Sequence, residues 1–298
     1  MGWIQSWGVA AILSLQSRGG PVADAFFRAV TLLGDERFYL LFLPLVFWCF
    51  DKRLGLRLAV LVLLSNTVNL WLKWACGLPR PPAPPVAHLT HETGPGFPSG
   101  HTQSVMVAFG YLAGQFRRRR VHIVAAVLVF LVALSRVYLG VHFPHDVLGG
   151  LVIGYLLLVL FVRVSPLVEA RWAAWSVEWC YAIAVGVPVL LLALWPGAGT
   201  ASSLGALAGF GVGATYEAEH VRFSPEGPLL RRLLRLLLGA VLVVAVYAGL
   251  KAVLPEGALW SLLRYAAVAF TASAVAPSVF VRLGLARSEM GPHPAAAS

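Results

Sequence analysis

Residues 121–164 read VHIVAAVLVFLVALSRVYLGVHFPHDVLGGLVIGYLLLVLFVRV, and the fold turns on them. The segments 121–138 and 145–164 are apolar runs close to the about 20 residues that an α-helix needs to cross the hydrocarbon of a bilayer. Both are read as membrane helices. Ser135, Arg136, His142, His145 and Asp146 stand where the two runs meet. Ionisable groups at such a place are costly, so by default they mark a functional site.

The same pattern continues on both sides. Membrane helices are expected near 36–50, 55–75, 101–116, 121–138, 145–164, 173–195, 200–216, 236–254 and 259–283. The first and third are short for a span and are expected to extend or tilt. Of the 298 residues, 59% are hydrophobic and only 12% are charged, with a mean hydropathy of +0.78. A soluble domain carries about 25% charged residues, so one buried core does not account for this composition. The chain is expected to be an all-α polytopic membrane protein.

The net charge of +10 would suggest a nucleic-acid partner in a soluble protein, but here the basic residues cluster between apolar runs, as at Arg117 to Arg120. No nucleic-acid partner is expected. Basic clusters in alternate loops follow the positive-inside rule. One set of loops and the tail, from Lys52, Arg53 and Arg57 through Arg163 and Arg171 to Arg222, Arg231, Arg232, Arg235, Arg282 and Arg287, holds 15 of the 23 Lys and Arg residues. That set is read as cytoplasmic, which puts the N-terminus outside and the C-terminus inside. The N-terminal apolar stretch has no basic region before it and is read as no removable signal peptide. Cys49, Cys76 and Cys180 lack paired spacing and are read as small buried hydrophobes.

Three regions follow. Residues 1–34 are expected to form two amphipathic helices in the membrane interface, with Phe26, Phe27, Val30 and Leu33 opposite Asp24 and Arg28. Residues 35–195 are expected to form the core, with a catalytic loop at 77–101, and 196–298 to add further membrane helices and a short basic tail. Gly205, Gly209 and Gly213, four residues apart, predict close helix packing. The Gly77–Gly100 loop carries seven prolines with His88, His91 and Glu92, and its two histidines are read as solvated.

Three clusters fall at helix ends on one face: Lys73-x6-Arg80-Pro81, Pro98-Ser99-Gly100-His101, and Ser135-Arg136-x5-His142-x3-Asp146. Lys73, Arg80 and Arg136 concentrate positive charge, and guanidinium forks match phosphate oxygens. Ser99, Gly100 and His101 open a helix, whose free N–H groups and dipole favour an anion. Asp146, four residues after His142, is placed to hold one ring nitrogen and free the other for attack. His101 remains to protonate the leaving oxygen. The chemistry expected of such a set is phosphoryl transfer to water.

These clusters resemble the signature of the type 2 phosphatidic acid phosphatase superfamily over about residues 36–165. That superfamily takes in lipid phosphate, polyprenyl phosphate and sphingosine phosphate phosphatases, glucose-6-phosphatase and the soluble vanadium haloperoxidases. The resemblance implies a six-helix core with about three extra C-terminal helices. It implies that His142 becomes a phosphohistidine oriented by Asp146, that His101 is the general acid, and that Lys73, Arg80, Ser99, Gly100 and Arg136 bind phosphate. It also implies no metal and no cofactor. Thr93 to His101 and Asn69 to Trp74 look most like the glucose-6-phosphatase branch. His145, where many relatives carry a small polar residue, is read as facing the headgroups. The leading expectation is a lipid phosphatase acting on the extracytoplasmic face, in a bacterial plasma membrane. A sugar phosphate phosphatase is the enzyme alternative and an anion transporter the remote one. Polar groups lining a closed pocket beneath the 77–100 loop would favour the sugar.

Overall fold

The computed structural model describes residues 2–116 and 118–289; Arg117 of the basic cluster and the tail from 290 lie outside the described residues. Almost everything described is helical. The elements are α1 (Trp3–Gln16), α2 (Pro21–Thr31), a 3-10 turn (Leu32–Gly34), α3 (Glu36–Cys49), α4 (Lys52–Cys76), α5 (Gly100–Gln115) and α6 (Arg119–Tyr138). Then come α7 (Pro144–Ala174), α8 (Val177–Leu194), α9 (Ala198–His220), α10 (Leu229–Val253), α11 (Ala258–Phe270), a π turn (Thr271–Val275) and α12 (Ala276–Arg282). Two two-residue strands, β1 (Phe223–Ser224) and β2 (Arg287–Ser288), pair antiparallel.

Each of the nine expected spans coincides with a helix, the last being α11 to α12 through the π turn. Among the described residues, six helical stretches are long and apolar enough to cross a membrane, and α3, α5 and α9 are not among them. The shorter α3 and α5 have 14 and 16 residues and do not extend as expected. The larger correction is α7, which runs on to Ala174, so Arg163 and Arg171 lie in a helix rather than in a loop. Likewise Arg231, Arg232 and Arg235 fall in the first turns of α10. Arginine and leucine are good helix formers, so polarity ended the apolar run without ending the helix. Of the three cysteines, Cys49 and Cys180 are buried as expected, but Cys76 is exposed at the end of α4.

The chain divides into two compact units, one comprising residues 2–39 and 64–166, the other 40–63 and the residues from 167 onward. In the first, α5 is the central element, with Thr102, Gln103, Val105, Val107, Ala108, Tyr111 and Ala113 buried. Buried polar groups need partners, and here they tie α4 to α5. Asn69 Nδ2 donates to Gln103 Oε1 at 2.9 Å, and Gln103 Nε2 donates to the Ser65 carbonyl at 2.8 Å. The N-terminal helices keep Trp3, Trp7, Val22 and Phe26 exposed. Their other face packs: Ile12 is buried with Val86, Ala133, Val137, Phe143 and Val147. Gln16 Nε2 donates to the Ala87 and Tyr138 carbonyls at 2.7 and 2.9 Å, and Tyr138 donates its hydroxyl to Asp24 at 2.6 Å.

In the second unit α9 lies against α11. A Cβ on Gly205 would come 2.9 Å from Leu262 Cα, and one on Gly209 would come 2.7 Å from Ala266 Cα. The small-residue spacing therefore does mark close packing. Phe47, Trp48, Phe223 and Phe280 form a core there, with Trp48 Nε1 donating to the Ala272 carbonyl at 2.8 Å.

Candidate active site

The C-terminal ends of α4 and α6 and the N-terminal ends of α5 and α7 carry the three sequence clusters, and the fold brings them together. The Ser99 N–H donates to the Asp146 carbonyl at 3.0 Å, which joins the α5 and α7 starts directly. Gly100 begins α5 facing Asn69, whose Oδ1 would lie 3.0 Å from a Cβ there. The N–H groups of this first turn have no intrahelical acceptor. Ser99 is fully buried, and its Oγ accepts from the Thr102 hydroxyl at 3.0 Å rather than capping the helix.

The loop before α5 holds two of the cations through its main chain. Lys73 Nζ donates to the Pro95 carbonyl at 2.7 Å. Arg80 donates through Nε to Gly94 O at 3.0 Å, through Nη2 to Thr93 O at 3.1 Å and through Nη1 to Val141 O at 2.9 Å. Gly94 makes this path possible with φ of +73°, a conformation that costs other residues energy.

His142 is 1% exposed. Its Nδ1 faces Asp146 Oδ2 at 3.4 Å, longer than a formed hydrogen bond, while the same oxygen accepts the Phe143 N–H at 2.9 Å. Such contacts often tighten only when substrate binds. Its Nε2 is 3.3 Å from Arg80 Nη1. Burial, then the charges of Arg136, Arg80 and Lys73, hold the His142 imidazole well below its ordinary range, so it is a neutral base. His145 is not turned only to the headgroups: its Nε2 lies 3.3 Å from Asp146 Oδ1, and its ring stacks on Phe143. His88 and His91 are exposed, and His88 Nε2 contacts the Pro81 carbonyl at 2.9 Å.

Three participants were missed by the sequence reading. Glu92 pairs with Arg136 Nη2, lies 3.7 Å from Arg80 Nη2 and 3.9 Å from His101 Nε2. Thr31 accepts from Arg136 Nη1 at 2.6 Å. Gly34 packs on His101, where a Cβ would come 2.7 Å from the histidine Cβ. A carboxylate in the loop between two basic motifs was the one available signal, since neither Thr31 nor Gly34 sits in any pattern. Beside this cluster opens a cavity of about 360 Å³ lined by His88, Leu89, Thr90, His91 and Glu92.

Chemically, Lys73, Arg80 and Arg136 outnumber Glu92 and Asp146, so the site attracts an anion. A neutral imidazole, a second histidine and a helix start lie at the joined beginnings of α5 and α7. No group of three or more His, Cys, Asp or Glu side chains placed to hold a metal ion occurs among the described residues.

The family described as the PAP2 superfamily matches residues 54–169, and the PAP2 superfamily phosphatase transmembrane extension matches 201–288. The chain is 34% identical over 175 residues to lipid phosphate phosphatase delta of Arabidopsis thaliana, which is 53% of this chain and 42% of that protein. It is 28% identical to glucose-6-phosphatase catalytic subunit 1 of Haplochromis nubilus, covering 65% of this chain and 64% of that one. The chain thus spans less than two thirds of either relative's length. Among solved structures it is similar to the transmembrane PAP2-type phosphatidylglycerolphosphate phosphatase of Bacillus subtilis, with 28% identity and a TM-score of 0.50 over 56% of this chain and 88% of that one. One match covers the segment that carries all but the N-terminal parts of the cluster, and the other covers the helices after it. The chain is an integral membrane protein and belongs to the PAP2 superfamily.

Proposed function

We propose that this protein is a metal-independent phosphatase that hydrolyses a lipid phosphate through a phosphohistidine on His142, on the extracytoplasmic face of its membrane. The observation that carries this reading is the buried, neutral His142, whose Nε2 meets Arg80 while Nδ1 faces Asp146. His142 Nε2 attacks phosphorus, and the bond from phosphorus to the ester oxygen breaks. The leaving oxygen keeps the electron pair and takes a proton from His101. Burial, then Arg136, Arg80 and Lys73, hold this imidazole too below its ordinary range, so it carries that proton only when the substrate phosphate's negative charge, with Glu92 at 3.9 Å, offsets those cations. A water, giving a proton back to His101, then attacks phosphorus, and the phosphorus–nitrogen bond returns its pair to His142. Lys73, Arg80, Arg136 and the Ser99–Gly100 helix start bind the charge that spreads over the equatorial oxygens.

The lipid preference rests on where the cations sit. They lie at helix ends, the level of headgroups, and the exposed Trp74 and Leu78 flank Lys73 and Arg80. A sugar phosphate is the second reading. The likeness to the Haplochromis nubilus glucose-6-phosphatase subunit favours it, while the depression at 88–92 is open rather than closed. Phosphate release in detergent with EDTA, from undecaprenyl phosphate, its diphosphate, phosphatidate, sphingosine phosphate and glucose 6-phosphate, separates the two. Turnover of a lipid by the wild type but not by His142→Ala supports the proposal. Turnover of glucose 6-phosphate alone transfers it to the sugar, and activity surviving in His142→Ala defeats the mechanism.

A further inference from the structure

We propose that Thr31 is a positioning residue for Arg136, so that the N-terminal helices are an integral part of the phosphate site rather than an interfacial attachment. The inference rests on the phosphate-binding role of Arg136 given above. Arg136 is 1% exposed, and its guanidinium is held at two points on its outer edge. Nη1 donates to the Thr31 hydroxyl at 2.6 Å, and Nη2 pairs with Glu92. Its Nε, also buried, has no partner among the described residues. A guanidinium presents five N–H donors in one rigid plane, so fixing two of them fixes the direction of the rest. Nε–H and the second N–H of each terminal nitrogen are then left for phosphate oxygens.

The anchor itself is well supported. Thr31 is buried at the end of α2, and the 3-10 turn that follows brings Gly34 onto His101. One corner of the chain therefore touches both Arg136 and His101. That corner is fixed to the rest of the site by specific polar contacts. Asp24 accepts from Tyr138 at 2.6 Å, and Arg28 Nε donates to the Leu89 carbonyl at 3.1 Å. The Phe27 and Tyr138 rings are 4.5 Å apart. An amphipathic pair that only lay on the lipid would need none of these. Displacements on the order of 1 Å at a reacting group cost about 100-fold in rate, so an unanchored arginine is a kinetic defect before it is a structural one.

The test is a double-mutant cycle on the full chain in detergent. Thr31→Val keeps the branched shape and removes the acceptor, while Thr31→Ser keeps the acceptor. Thr31→Val is expected to lower kcat/KM roughly tenfold or more and to raise the inorganic phosphate concentration needed for half-inhibition by a similar factor. Thr31→Ser should restore both, and Val22→Ala, exposed on the same helix, should alter neither. In an Arg136→Lys background, which has no fork to orient, Thr31→Val should add little. Wild-type values for Thr31→Val, or an undiminished penalty in that background, would overturn the assignment. Inorganic phosphate binding, followed as a thermal shift, repeats the comparison without turnover. A chain that binds phosphate and hydrolyses nothing would thus sink the phosphatase reading and still decide the role of Thr31.

Discussion

Arg80 Nη1 lies 3.3 Å from Nε2 of His142. The guanidinium therefore stands beside the nitrogen that the proposed mechanism uses for attack, where it can hold a phosphate oxygen and also repel a proton from the ring. Both effects follow from one charge at one place.

This makes Arg80→Gln informative through pH. Cationic neighbours and burial depress the His142 imidazole, so as pH falls the ring stays neutral below the usual value of about 6.5. The acid limb of kcat/KM that belongs to His142 is expected below that pH in the wild type. Removing the Arg80 charge should move the limb upward, while plateau activity falls about 10²–10³-fold. A second limb, from phosphate ionisation of the substrate near about 6, should stay in place. An unmoved enzyme limb would show that Arg80 acts on the substrate alone.

His101→Gln should be read against the leaving group. If His101 supplies the proton, its loss costs about 10²–10⁴-fold with an alkyl phosphate, whose alkoxide leaves badly. An aryl phosphate with an acidic phenol needs little help and should lose far less. Equal losses on both substrates would remove His101 from the role of acid.

Gly34→Ala tests the contact between the 3-10 turn and α5. The added methyl would sit 2.7 Å from the His101 Cβ and 3.0 Å from its backbone, so the histidine has to move. The expected result is a fall in kcat of about tenfold or more with KM nearly unchanged. Leu32→Ala, exposed on the same turn, is the control and should behave as wild type.

Gly209→Leu addresses the second unit and leaves the chemistry aside. The Ala266 backbone blocks that side chain, and overpacking of this kind costs about 1–3 kcal/mol. The apparent melting temperature in detergent should fall. Gly249→Ala meets open space and should not lower it.

The nine helices were legible because hydrophobic runs report the solvent around a helix, although among the described residues only six of them are long and apolar enough to be spans. Helix length was not, since α7 continues to Ala174 on residues that suit helix and water equally. The cluster residues were legible because each sits at a helix end with its own chemistry. Thr31, Gly34 and Glu92 were not: a threonine, a glycine and a loop glutamate gain meaning only from neighbours up to 105 positions away. His145 was undervalued for the same reason, because its contact with Asp146 depends on how α7 begins.

Lys73 and Arg80 are fastened chiefly by main-chain carbonyls, those of Thr93, Gly94, Pro95 and Val141, with the Glu92 and His142 side chains adding contacts to Arg80. Copying the charged residues alone onto another helical scaffold would accordingly yield two hydrated, wandering cations. The transferable unit is the whole ribbon from 73 to 101 with its path intact, together with the Val141 carbonyl that takes the third Arg80 contact. Within that ribbon, positions 93 and 95 can change their side chains and still deliver the same oxygens, so a graft should be judged by its trace before its spelling.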